Sequence, residues 1–326
     1  MCGVLYSTTE MSKQPQDSLK IAEALKEAAD ALRAAGMADA RPDARTLLSH
    51  TLARDHAFLI AHSDDELAPP AAALFRERVR RRAAGEPVQY ITGRQEFYGL
   101  EFEVGPAVLI PRPETELLVE TALALLRETD APPLVCDVGT GSGCIPVALL
   151  HERRDARACA LDISPDALAV AARNAARHDV AERLTLLVSD CFAALDPSRA
   201  QAFNLITSNP PYVTENDFAN LQREVRDHEP RIALTPGNDD GGDGLSIIRR
   251  LFAEAPRFLA EGGHLLCEIG YDQHEAVARL IDESVWTLLD IRRDLQGIPR
   301  IVVLRRRGVR ANETSGRDLV AVRSPC

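Results

Sequence analysis

The tetrapeptide Asn209-Pro210-Pro211-Tyr212 carries the residue types needed to hold a planar NH2 group while another group is transferred to its nitrogen. The Asn209 side chain offers a carbonyl acceptor and an NH2 donor. Pro210 and Pro211 have a fixed φ and no N–H, so they form a rigid corner whose carbonyl oxygens face outward as acceptors. Tyr212 adds a flat apolar face for a planar amide or base. Conjugation delocalises the lone pair of such a nitrogen. Hydrogen bonds from both NH2 hydrogens to acceptors would localise the lone pair on the nitrogen again. The alternative is an ordinary tight turn after a buried strand.

Short apolar runs that alternate with helical segments must position this tetrapeptide. It follows the run 203–206, which has the pattern of a buried strand. The other predicted strands are 134–138, 157–161, 184–188 and 264–269, with a closing antiparallel pair at 286–291 and 301–304. Helices predicted between the strands give a right-handed βαβ series. The sequence therefore predicts an α/β fold with helices on both faces of a mainly parallel sheet.

Residues suited to ligand binding collect where these predicted strands end. In a doubly wound sheet the ligand binds beyond the carboxyl ends of the strands. The glycines of the segment 137–143, Asp-Val-Gly-Thr-Gly-Ser-Gly, let the backbone approach a ligand closely. Asp162 ends the second strand, 25 residues after Asp137, where a carboxylate can accept both hydroxyls of a ribose. Asp190 ends the third strand and is placed to meet an adenine amino group.

The ligand of this glycine-rich turn is either a dinucleotide or a methyl donor. Dinucleotide binding seats a pyrophosphate on a helix amino terminus and uses the spacing Gly-x-Gly-x-x-Gly. Here the spacing is Gly-x-Gly-x-Gly, and Asp137 precedes the first glycine. A carboxylate at that position suits a ligand with an ammonium group, such as the methionyl end of S-adenosylmethionine. The spacing therefore favours S-adenosylmethionine, with a nicotinamide dinucleotide as the alternative.

The composition limits the class of protein. The chain has 326 residues, 45% hydrophobic and 27% charged, with a formal net charge of −11. This length predicts two domains, and no apolar run is long enough to cross a membrane. The negative charge argues against a wide phosphate-binding face, so no direct contact with nucleic acid is expected. The seven cysteines contain no Cys-x-x-Cys pair, which indicates neither a disulfide framework nor a zinc site. The amino terminus has no signal-peptide pattern, so we expect a cytoplasmic protein. Since the cysteine spacing indicates no zinc site, we also expect no metal.

The sequence pattern changes along the chain and predicts two domains joined by a linker. The predicted parts are a flexible leader 1–16, a helical substrate-recognition domain 17–85, a hairpin linker 86–114, a catalytic domain 115–307 and a disordered tail 308–326. In the linker, the alternating segments 96–104 and 107–110 flank Gly105-Pro106, which predicts a hairpin that turns there. Thr115 is the predicted cap of the helix that follows.

A run of basic residues lies in the last predicted helix of the helical segment. It comprises Arg76, Arg78, Arg80, Arg81 and Arg82. Such a run is most often a solvated helix face, and the sharper interpretation is a docking surface for an acidic or RNA-associated partner. The sequence leaves both open.

Four motifs together resemble class I S-adenosylmethionine-dependent methyltransferases that act on an NH2 nitrogen. They are 137–143, Leu-Asp-Ile-Ser at 161–164, Ser-Asp at 189–190 and 209–212. Adenine and cytosine amino-methyltransferases of DNA share this set. The linker segments GEPVQYITGRQEFYGLEF and VLIPRPETELLVE are more specific, and they resemble the HemK/PrmC family, the glutamine methyltransferases of peptide-chain release factors. The resemblance continues through Gly242-Asp243-Gly244-Leu245 to about residue 305. It implies a Rossmann-like catalytic domain with a seven-stranded sheet, preceded by a small helical domain and a hairpin.

The resemblance also implies roles for the motif residues. S-Adenosylmethionine would be the cofactor and S-adenosylhomocysteine its product. Asn209 would accept one hydrogen of the substrate amide and the Pro210 carbonyl the other. Tyr212 would pack against the amide plane, and Pro211 belongs to the same substrate-binding corner. The implied cofactor contacts are Asp137, Gly139, Thr140, Gly141, Ser142, Gly143, Asp162, Asp190, Cys191 and Asn209.

One of these positions departs from the pattern of the family. The residue after Asp190 commonly has a larger side chain that packs on the adenine, and here it is Cys191. The neighbouring Phe192 is an alternative contact.

The resemblance implies a release factor as the protein substrate, methylated at the glutamine of its Gly-Gly-Gln loop. We expect the enzyme to be a monomer. A related group methylates a glutamine of a ribosomal protein, but Pro-Arg-Pro-Glu-Thr-Glu at 111–116 resembles the release-factor group. A DNA amino-methyltransferase would need a basic surface and a target-recognition insert, and the sequence indicates neither. A non-catalytic binding module with the same fold is a further alternative, and the intact motifs argue against it.

Overall fold

The computed structural model describes residues 19–127, 131–196, 200–237 and 242–308. The chain divides into two compact units. The first lies within Met1–Gln95, Val104–Pro106 and Asn220–Glu229, and the second within Glu96–Glu103, Ala107–Ala219 and Pro230–Cys326. The predicted leader, and all of the predicted tail except residue 308, lie outside the described residues. The predicted domain boundaries and roles stay predictions.

The first unit is built from helices whose apolar residues recur at three- and four-residue spacing. They are α1 (Ile21–Ala34), α2 (Ala40–Leu52), α3 (His56–Ala61), α4 (Pro69–Ala83), α5 (Val88–Thr92) and, much later in the chain, α10 (Arg223–His228). Leu32, Leu47, Leu48 and Phe75 are fully buried in the core of this unit. The helices predicted from the Ala- and Leu-rich pattern are confirmed. The sequence does not predict α3, because six residues show too little periodicity.

Much of the basic run on α4 is held in ion pairs within the first unit. Arg80 and Arg81 each pair with a glutamate that follows or precedes them closely in sequence. Arg82 is buried, and its Nε donates to Asp43 Oδ2 at 2.6 Å. The same guanidinium pairs with Glu224 of α10. Arg82 is therefore a structural residue that fastens a segment from late in the chain to α2 and α4, and it is not part of a solvated face.

The hairpin of the linker forms earlier in the chain than its alternating pattern predicts. It consists of β1 (Arg94–Phe97) and β2 (Leu100–Glu103). Tyr98 and Gly99 turn the chain, with φ values of 54° and 72°. Two positive φ values in a two-residue loop match the right-handed twist of the flanking strands, which is why such loops end in glycine. The predicted hairpin across Gly105-Pro106 is wrong, because 107–110 forms no strand, although the chain does turn at Pro106 and Ala107.

The second unit contains a seven-stranded sheet within the described residues. Its strands are β3 (Leu134–Val138), β4 (Arg157–Asp162), β5 (Leu184–Val188), β6 (Phe203–Ser208), β7 (Leu259–Glu268), β8 (Trp286–Arg293) and β9 (Pro299–Arg306). The spatial order is β5-β4-β3-β6-β7-β9-β8. The first five strands in that order are parallel, and β9 pairs antiparallel with both β7 and β8. The predicted α/β class, the mainly parallel sheet and the closing antiparallel pair are confirmed.

Helices cover both faces of this sheet. The helices of the second unit are α6 (Glu116–Leu126), α7 (Cys144–Glu152), α8 (Pro165–Arg177), α9 (Glu215–Phe218), α11 (Arg231–Leu234), α12 (Ser246–Glu254) and α13 (His274–Arg279), with 3-10 turns at Pro113–Thr115, Ala181–Arg183 and Ala255–Arg257. Successive residues of a strand point to opposite faces. Accordingly, Cys136 and Val138 of β3 pack with α12 and α13, whereas Val135 packs with α6 and α7. The sequence predicts a plain loop between β6 and α12, where the structure has α9 to α11.

The strand order reverses between β3 and β6, and that reversal places the site. Chain connections run outward from β3 through β4 to β5 on one side and from β6 to β7 on the other. Val138 pairs with Ser208 at the carboxyl ends of β3 and β6, so the glycine-rich turn and the Asn-Pro-Pro-Tyr tetrapeptide emerge side by side. A ligand crevice is expected at this switch point. No helix in the described ranges is long and apolar enough to cross a membrane.

Candidate functional site

A cavity of about 310 Å³ lies at the carboxyl ends of the parallel strands of the second unit. It brings together eight of the residues that the sequence predicts for the site. They are Gly139, Gly141, Asp162, Asp190, Cys191, Asn209, Pro210 and Pro211. The loop of β3, the end of β4, the end of β5 and the end of β6 therefore meet at one cavity, as the strand-end argument predicts.

Five predicted site residues do not line this cavity. They are Asp137, Thr140, Ser142, Gly143 and Tyr212. The side chains of Asp137, Thr140 and Ser142 are buried. Their predicted contacts with a cofactor stay predictions.

Gly141 and Gly143 of the turn lack a side chain for different structural reasons. A Cβ on Gly141 would meet no protein atom within 4 Å, and Gly141 lines the cavity at a φ of 54°. A Cβ on Gly143 would lie 3.0 Å from the Cβ of Ala171 on α8. Gly143 therefore allows α7 and α8 to approach each other, whereas Gly141 leaves open backbone beside a ligand. This open cradle fits the close approach of a nucleoside-containing cofactor.

A buried asparagine supports the turn from below. Asn174 of α8 is fully buried, and its Nδ2 donates to the Ser142 carbonyl at 2.9 Å and to the Glu103 carbonyl at 3.0 Å. Its Oδ1 accepts from the Glu103 N–H at 2.7 Å. Asn174 thus joins the glycine-rich turn to β2. Sequence reasoning missed it, although a polar residue on the apolar face of a predicted helix is a usable signal.

Asp162 fixes the backbone of the glycine-rich turn at Gly141. Its Oδ2 accepts from the Gly141 N–H at 2.8 Å, and its Oδ1 accepts from the Ser164 N–H at 2.9 Å. Burial raises the pKa of Asp162, and these backbone hydrogen bonds oppose the rise. Each carboxylate oxygen has a second lone pair. Asp162 can therefore accept from ribose hydroxyls while it continues to hold Gly141.

The end of β5 forms the side of the cavity expected to receive an adenine. Asp190 has a side chain 55% exposed, and its Oδ1 accepts from Arg250 Nη1 at 2.8 Å. Cys191 is buried and has a φ of 45°, in a turn where Ser189 Oγ donates to its carbonyl at 2.7 Å. Phe192 does not reach the cavity, because its ring stacks on Phe258 in the core at 5.2 Å. The alternative contact through Phe192 is therefore wrong.

Two cavity residues at this side were missed by sequence reasoning. Ile163 is an exposed apolar side chain beside Asp162, and Arg250 of α12 orients Asp190. The position of Ile163, directly after the acidic end of a predicted strand, was a usable signal. No signal in the sequence pointed to Arg250, because its partner Asp190 lies 60 residues away.

The Asn209 side chain is held from behind by Thr115. Asn209 Nδ2 donates to Thr115 Oγ1 at 3.1 Å. Thr115 does precede α6, as predicted, but its side chain caps no backbone N–H of that helix. The predicted cap is wrong because the hydroxyl is used across the fold instead.

The backbone after Pro211 is fixed by two residues from other loops. Gln273 Nε2 donates to the Tyr212 carbonyl at 3.1 Å, while its Oε1 accepts from the Gly270 N–H at 2.9 Å. Gly244 passes so close to Tyr212 that a Cβ there would stand 2.2 Å from the same carbonyl oxygen. Burial raises the pKa of Tyr212 and keeps its phenol protonated. The tetrapeptide is therefore rigid at its exit as well as at its prolines.

Two buried carboxyls lie close to the ends of the strands. Asp137 Oδ1 accepts from Thr207 Oγ1 at 2.7 Å, and burial raises the pKa of Asp137 to about 6. Burial also raises the pKa of Glu268, at the end of β7, to about 7. Hydrogen bonding from Thr115 and attraction to Arg300 oppose that rise.

The cysteines of the described chain are buried thiols. Cys136, Cys144, Cys159, Cys191 and Cys267 are buried, and none of them forms a disulfide within the described residues. Burial raises the pKa of Cys144 to about 12 and that of Cys191 to about 11. A thiol in such a setting is a poor nucleophile, because the reactive thiolate is disfavoured.

This strand order, with a cavity at the β3/β6 switch point and a glycine-rich turn beside it, defines the class I S-adenosylmethionine-dependent methyltransferases, and the chain is an enzyme of that class. Residues 23–93 match the family model of the PrmC N-terminal domain, and residues 114–228 match that of the methyltransferase small domain.

Known proteins narrow the class to a family. The release factor glutamine methyltransferase of Cereibacter sphaeroides is 47% identical over 88% of this chain and 99% of its own length. That of Burkholderia pseudomallei is 47% identical over 84% of this chain and 94% of its own. A solved structure from Alicyclobacillus acidocaldarius, a release factor-specific protein-(glutamine-N5) methyltransferase, is 31% identical over 64% of this chain and all of that chain, with a TM-score of 0.38. The chain belongs to the release factor glutamine methyltransferase family, which confirms the resemblance of the motifs.

Proposed function

We propose that the protein transfers a methyl group from S-adenosylmethionine to the side-chain amide nitrogen of the glutamine in the Gly-Gly-Gln motif of peptide-chain release factors. The observation that carries this proposal is that the Asn209–Pro211 corner lines the same cavity as Gly141 and Asp162. An acceptor corner for an NH2 group and a cradle for a nucleoside therefore share one space. Membership of the family supplies the protein substrate.

The residues of the corner position the amide and polarise it. Asn209 Oδ1 and the Pro210 carbonyl accept the two hydrogens of the substrate NH2 group. These two bonds draw the nitrogen lone pair out of conjugation and aim it across the cavity. S-Adenosylmethionine supplies a methyl group on a positively charged sulfur. When the new N–C bond forms, the bond between that methyl carbon and the sulfur would break, and the sulfur would leave as neutral S-adenosylhomocysteine. The nitrogen would lose one of its protons through these acceptors to solvent.

Most of the rate enhancement then comes from positioning and from fixed dipoles. The fixed backbone around Tyr212 matters for this reason, since its ring is proposed to lie against the amide plane. A strong base is unnecessary, and the buried thiols offer none because burial raises their pKa.

Asp162 and the glycine-rich turn are proposed to hold the cofactor. Asp162 keeps lone pairs for ribose hydroxyls, and Asp190, held by Arg250, presents its second oxygen to an adenine amino group. Ile163 adds an exposed apolar surface for the adenine ring. We also propose that Asp137, Thr140, Ser142 and Gly143 support this binding from beneath the turn.

Three finer points belong to the same proposal. We propose a monomeric cytoplasmic enzyme that makes no direct contact with nucleic acid, and the net charge of −11 supports the last point. The helical first unit is proposed to recognise the release factor. A ribosomal protein is the second candidate substrate, and DNA is the third.

Label transfer from methyl-labelled S-adenosylmethionine tests the substrate and the methylated residue together. The acceptors are a folded release factor, the same protein with the glutamine of its Gly-Gly-Gln loop changed to alanine, and duplex DNA. We expect label on the intact factor alone. Label on both factor proteins would refute the glutamine, and label on DNA would support the DNA enzymes instead.

A further inference from the structure

The two ends of the Asn209 side-chain amide are not equivalent for catalysis. The proposed role needs the carbonyl Oδ1 toward the substrate, because Oδ1 accepts a hydrogen and Nδ2 can only donate. In the structure Nδ2 donates to Thr115 Oγ1 at 3.1 Å. That bond turns Nδ2 away from the substrate and leaves Oδ1 for it.

Thr115 can fix this orientation only if its own proton is engaged elsewhere. A hydroxyl both donates and accepts. If the proton of Thr115 were free, it could donate to Oδ1 of a rotated Asn209, and the amide would then present its NH2 group to the substrate. The direction of the Asn209–Thr115 bond therefore depends on what takes the Thr115 proton.

Glu268 is placed to take that proton. It ends β7, beside β6, where Ser208 pairs with Cys267, so Asn209 follows the last residue of β6 as Glu268 follows Cys267. Thr115 and Glu268 are each 2% exposed. Oε2 of Glu268 has no hydrogen-bond partner among the described residues, so the carboxyl has an unused acceptor in a buried setting. Burial raises the pKa of Glu268, and hydrogen bonding from Thr115 is among the smaller effects that lower it.

We propose that Glu268 and Thr115 form a positioning relay in which Glu268 accepts the Thr115 proton, Thr115 accepts from Asn209 Nδ2, and Asn209 Oδ1 is thereby directed to the substrate amide. The relay rests on the proposed role of Asn209. All of its donors point the same way, so each bond polarises the next and makes Oδ1 a stronger acceptor. Thr115 and Glu268 act through Asn209 and do not touch the substrate.

The groups around Glu268 act on its carboxyl in opposite directions, and burial outweighs the arginines, so the pKa is raised to about 7. The charged or titratable groups that act on it or feel its charge are Arg300, Arg112, Glu114, Tyr212, Cys267 and Cys144. Arg300 is itself held by Asp294, at 2.9 Å between Nε and Oδ2. The two arginines favour the ionised carboxylate, while Glu114 and burial disfavour it.

The first test removes only the hydroxyl. Thr115→Val keeps the shape of the side chain, and Thr115→Ser keeps the hydroxyl. Thr121→Val is the matched control, because Thr121 lies on the helix that Thr115 precedes and its hydroxyl bonds only its own helix, to Leu117 O at 2.7 Å. With a release factor as acceptor, we expect Thr115→Val to lower kcat about ten- to a hundredfold. Thr115→Ser should recover most of kcat, and Thr121→Val should leave it unchanged.

The dissociation constant for S-adenosylmethionine should stay within about twofold in all three variants, since the relay does not touch the cofactor. If Thr115→Val and Thr121→Val gave the same kcat, the relay would be overturned while the proposed function stood. A wild-type enzyme that failed to methylate the release factor would instead sink the proposed function.

A double-mutant cycle tests the part of Glu268. Glu268→Met replaces a buried carboxyl by an apolar group of similar size, a change that proteins often tolerate. Because Glu268 acts through Thr115, adding Glu268→Met to Thr115→Val should lower kcat no further. Independent, multiplicative effects of the two substitutions would contradict the relay.

A measurement that needs no turnover tests the relay independently of the proposed function. The side-chain NH2 resonances of Asn209, assigned from their loss in Asn209→Ala, report the bond to Thr115 directly. We expect them to move in Thr115→Val and in Glu268→Met, and to stay in Thr121→Val. Unmoved resonances in Thr115→Val would overturn the relay whatever the substrate proves to be.

Discussion

At the scale of single residues, the site depends on atoms that serve two partners. Asp162 holds the Gly141 N–H and keeps lone pairs for its proposed contact with a ribose. Asn209 donates to Thr115 with one end of its amide, which leaves the other end for its proposed contact with the substrate. In each of these residues, the hydrogen bond that orients the side chain leaves an oxygen lone pair available to a ligand. The same side chain therefore both shapes the site and can bind a ligand.

Substitutions at these two residues should separate catalysis from cofactor binding. Asn209→Ala removes the acceptor for the substrate amide, so methyl transfer should fall below detection while the dissociation constant for S-adenosylmethionine changes only a few-fold. Asp162→Ala should weaken cofactor binding instead, because ribose acceptors and the support of Gly141 are lost. Calorimetric titration with the cofactor and label transfer measure both. Normal turnover in Asn209→Ala would contradict its role in holding the amide, and unaltered affinity in Asp162→Ala would contradict its role in holding the cofactor.

At the scale of elements, loops from distant parts of the chain fix the tetrapeptide. The exit at Tyr212 is held by Gln273, ahead of α13, and by Gly244, ahead of α12. The glycine-rich turn is supported by Asn174 of α8. The strands thus place the loops, and side chains on the helices and at their ends hold the loops in shape.

Gly244 and Gly242 form a natural pair for testing the loop contact. Both have positive φ, 74° and 79°, so alanine costs each about 1–2 kcal/mol of backbone strain. A Cβ on Gly244 would also stand 2.2 Å from the Tyr212 carbonyl, whereas a Cβ on Gly242 would meet nothing within 4 Å. Gly244→Ala should therefore lower kcat at least tenfold, and Gly242→Ala should leave it nearly intact. Thermal unfolding should show the larger loss for Gly244→Ala, and equal losses in both measurements would refute the contact.

At the scale of the whole molecule, buried charge links segments that are far apart in sequence. In the first unit, Arg82 joins Asp43 of α2 to Glu224 of α10. In the second, Asp137 and Glu268 are carboxyls buried at the ends of parallel strands of one sheet. These groups make stability sensitive to single substitutions and to pH.

Removal of the buried arginine should destabilise the first unit strongly. Arg82→Gln would leave Asp43 buried without its cation, which typically costs about 3–5 kcal/mol. Arg80 is the matched control on the same helix, because it is exposed and pairs only with a nearby glutamate. Arg80→Gln should change the free energy of unfolding by less than about 0.5 kcal/mol. Urea unfolding followed by circular dichroism compares the two, and equal effects would show that the buried pair does not contribute.

The raised pKa of Asp137 predicts how stability depends on pH. The folded protein keeps this carboxyl protonated up to a pKa of about 6, whereas its ordinary value is 3.8. Between these values the folded state binds more protons than the unfolded state, so the contribution of Asp137 falls as pH rises through that window. Carboxyls with lowered pKa, such as Asp243 and Asp294, titrate below it.

Asp137→Asn removes this dependence without removing the acceptor for Thr207. In the ligand-free protein, the free energy of unfolding of Asp137→Asn minus that of the wild type should increase from pH 4 to pH 7. Urea unfolding at several pH values measures this difference, in which the other titrating groups cancel. A difference that stays constant with pH would show that the wild-type carboxyl is ionised throughout.

The places where sequence reasoning failed share a cause. The turn at Tyr98-Gly99 was concealed because the alternating pattern runs on past it, so the pattern placed the turn at Gly105-Pro106. Thr115 has the local features of a cap, and only a partner 94 residues away draws its hydroxyl elsewhere. Phe192 follows the cavity residue Cys191 in sequence, but its ring stacks on Phe258.

The sequence by itself determined the order along the chain of the seven strands in the sheet of the second unit, the α/β class and the residues at the strand ends, because each depends on periodicity or on short motifs. Since parallel strands must meet at a switch point, it also determined that the glycine-rich turn, Asp162 and Asn209 would share one cavity. Only the tertiary structure decided which side chains bond to the loops of the site, namely Asn174, Gln273 and Thr115. These partners depend on strand register and on burial between elements, and neither leaves a local trace in the sequence.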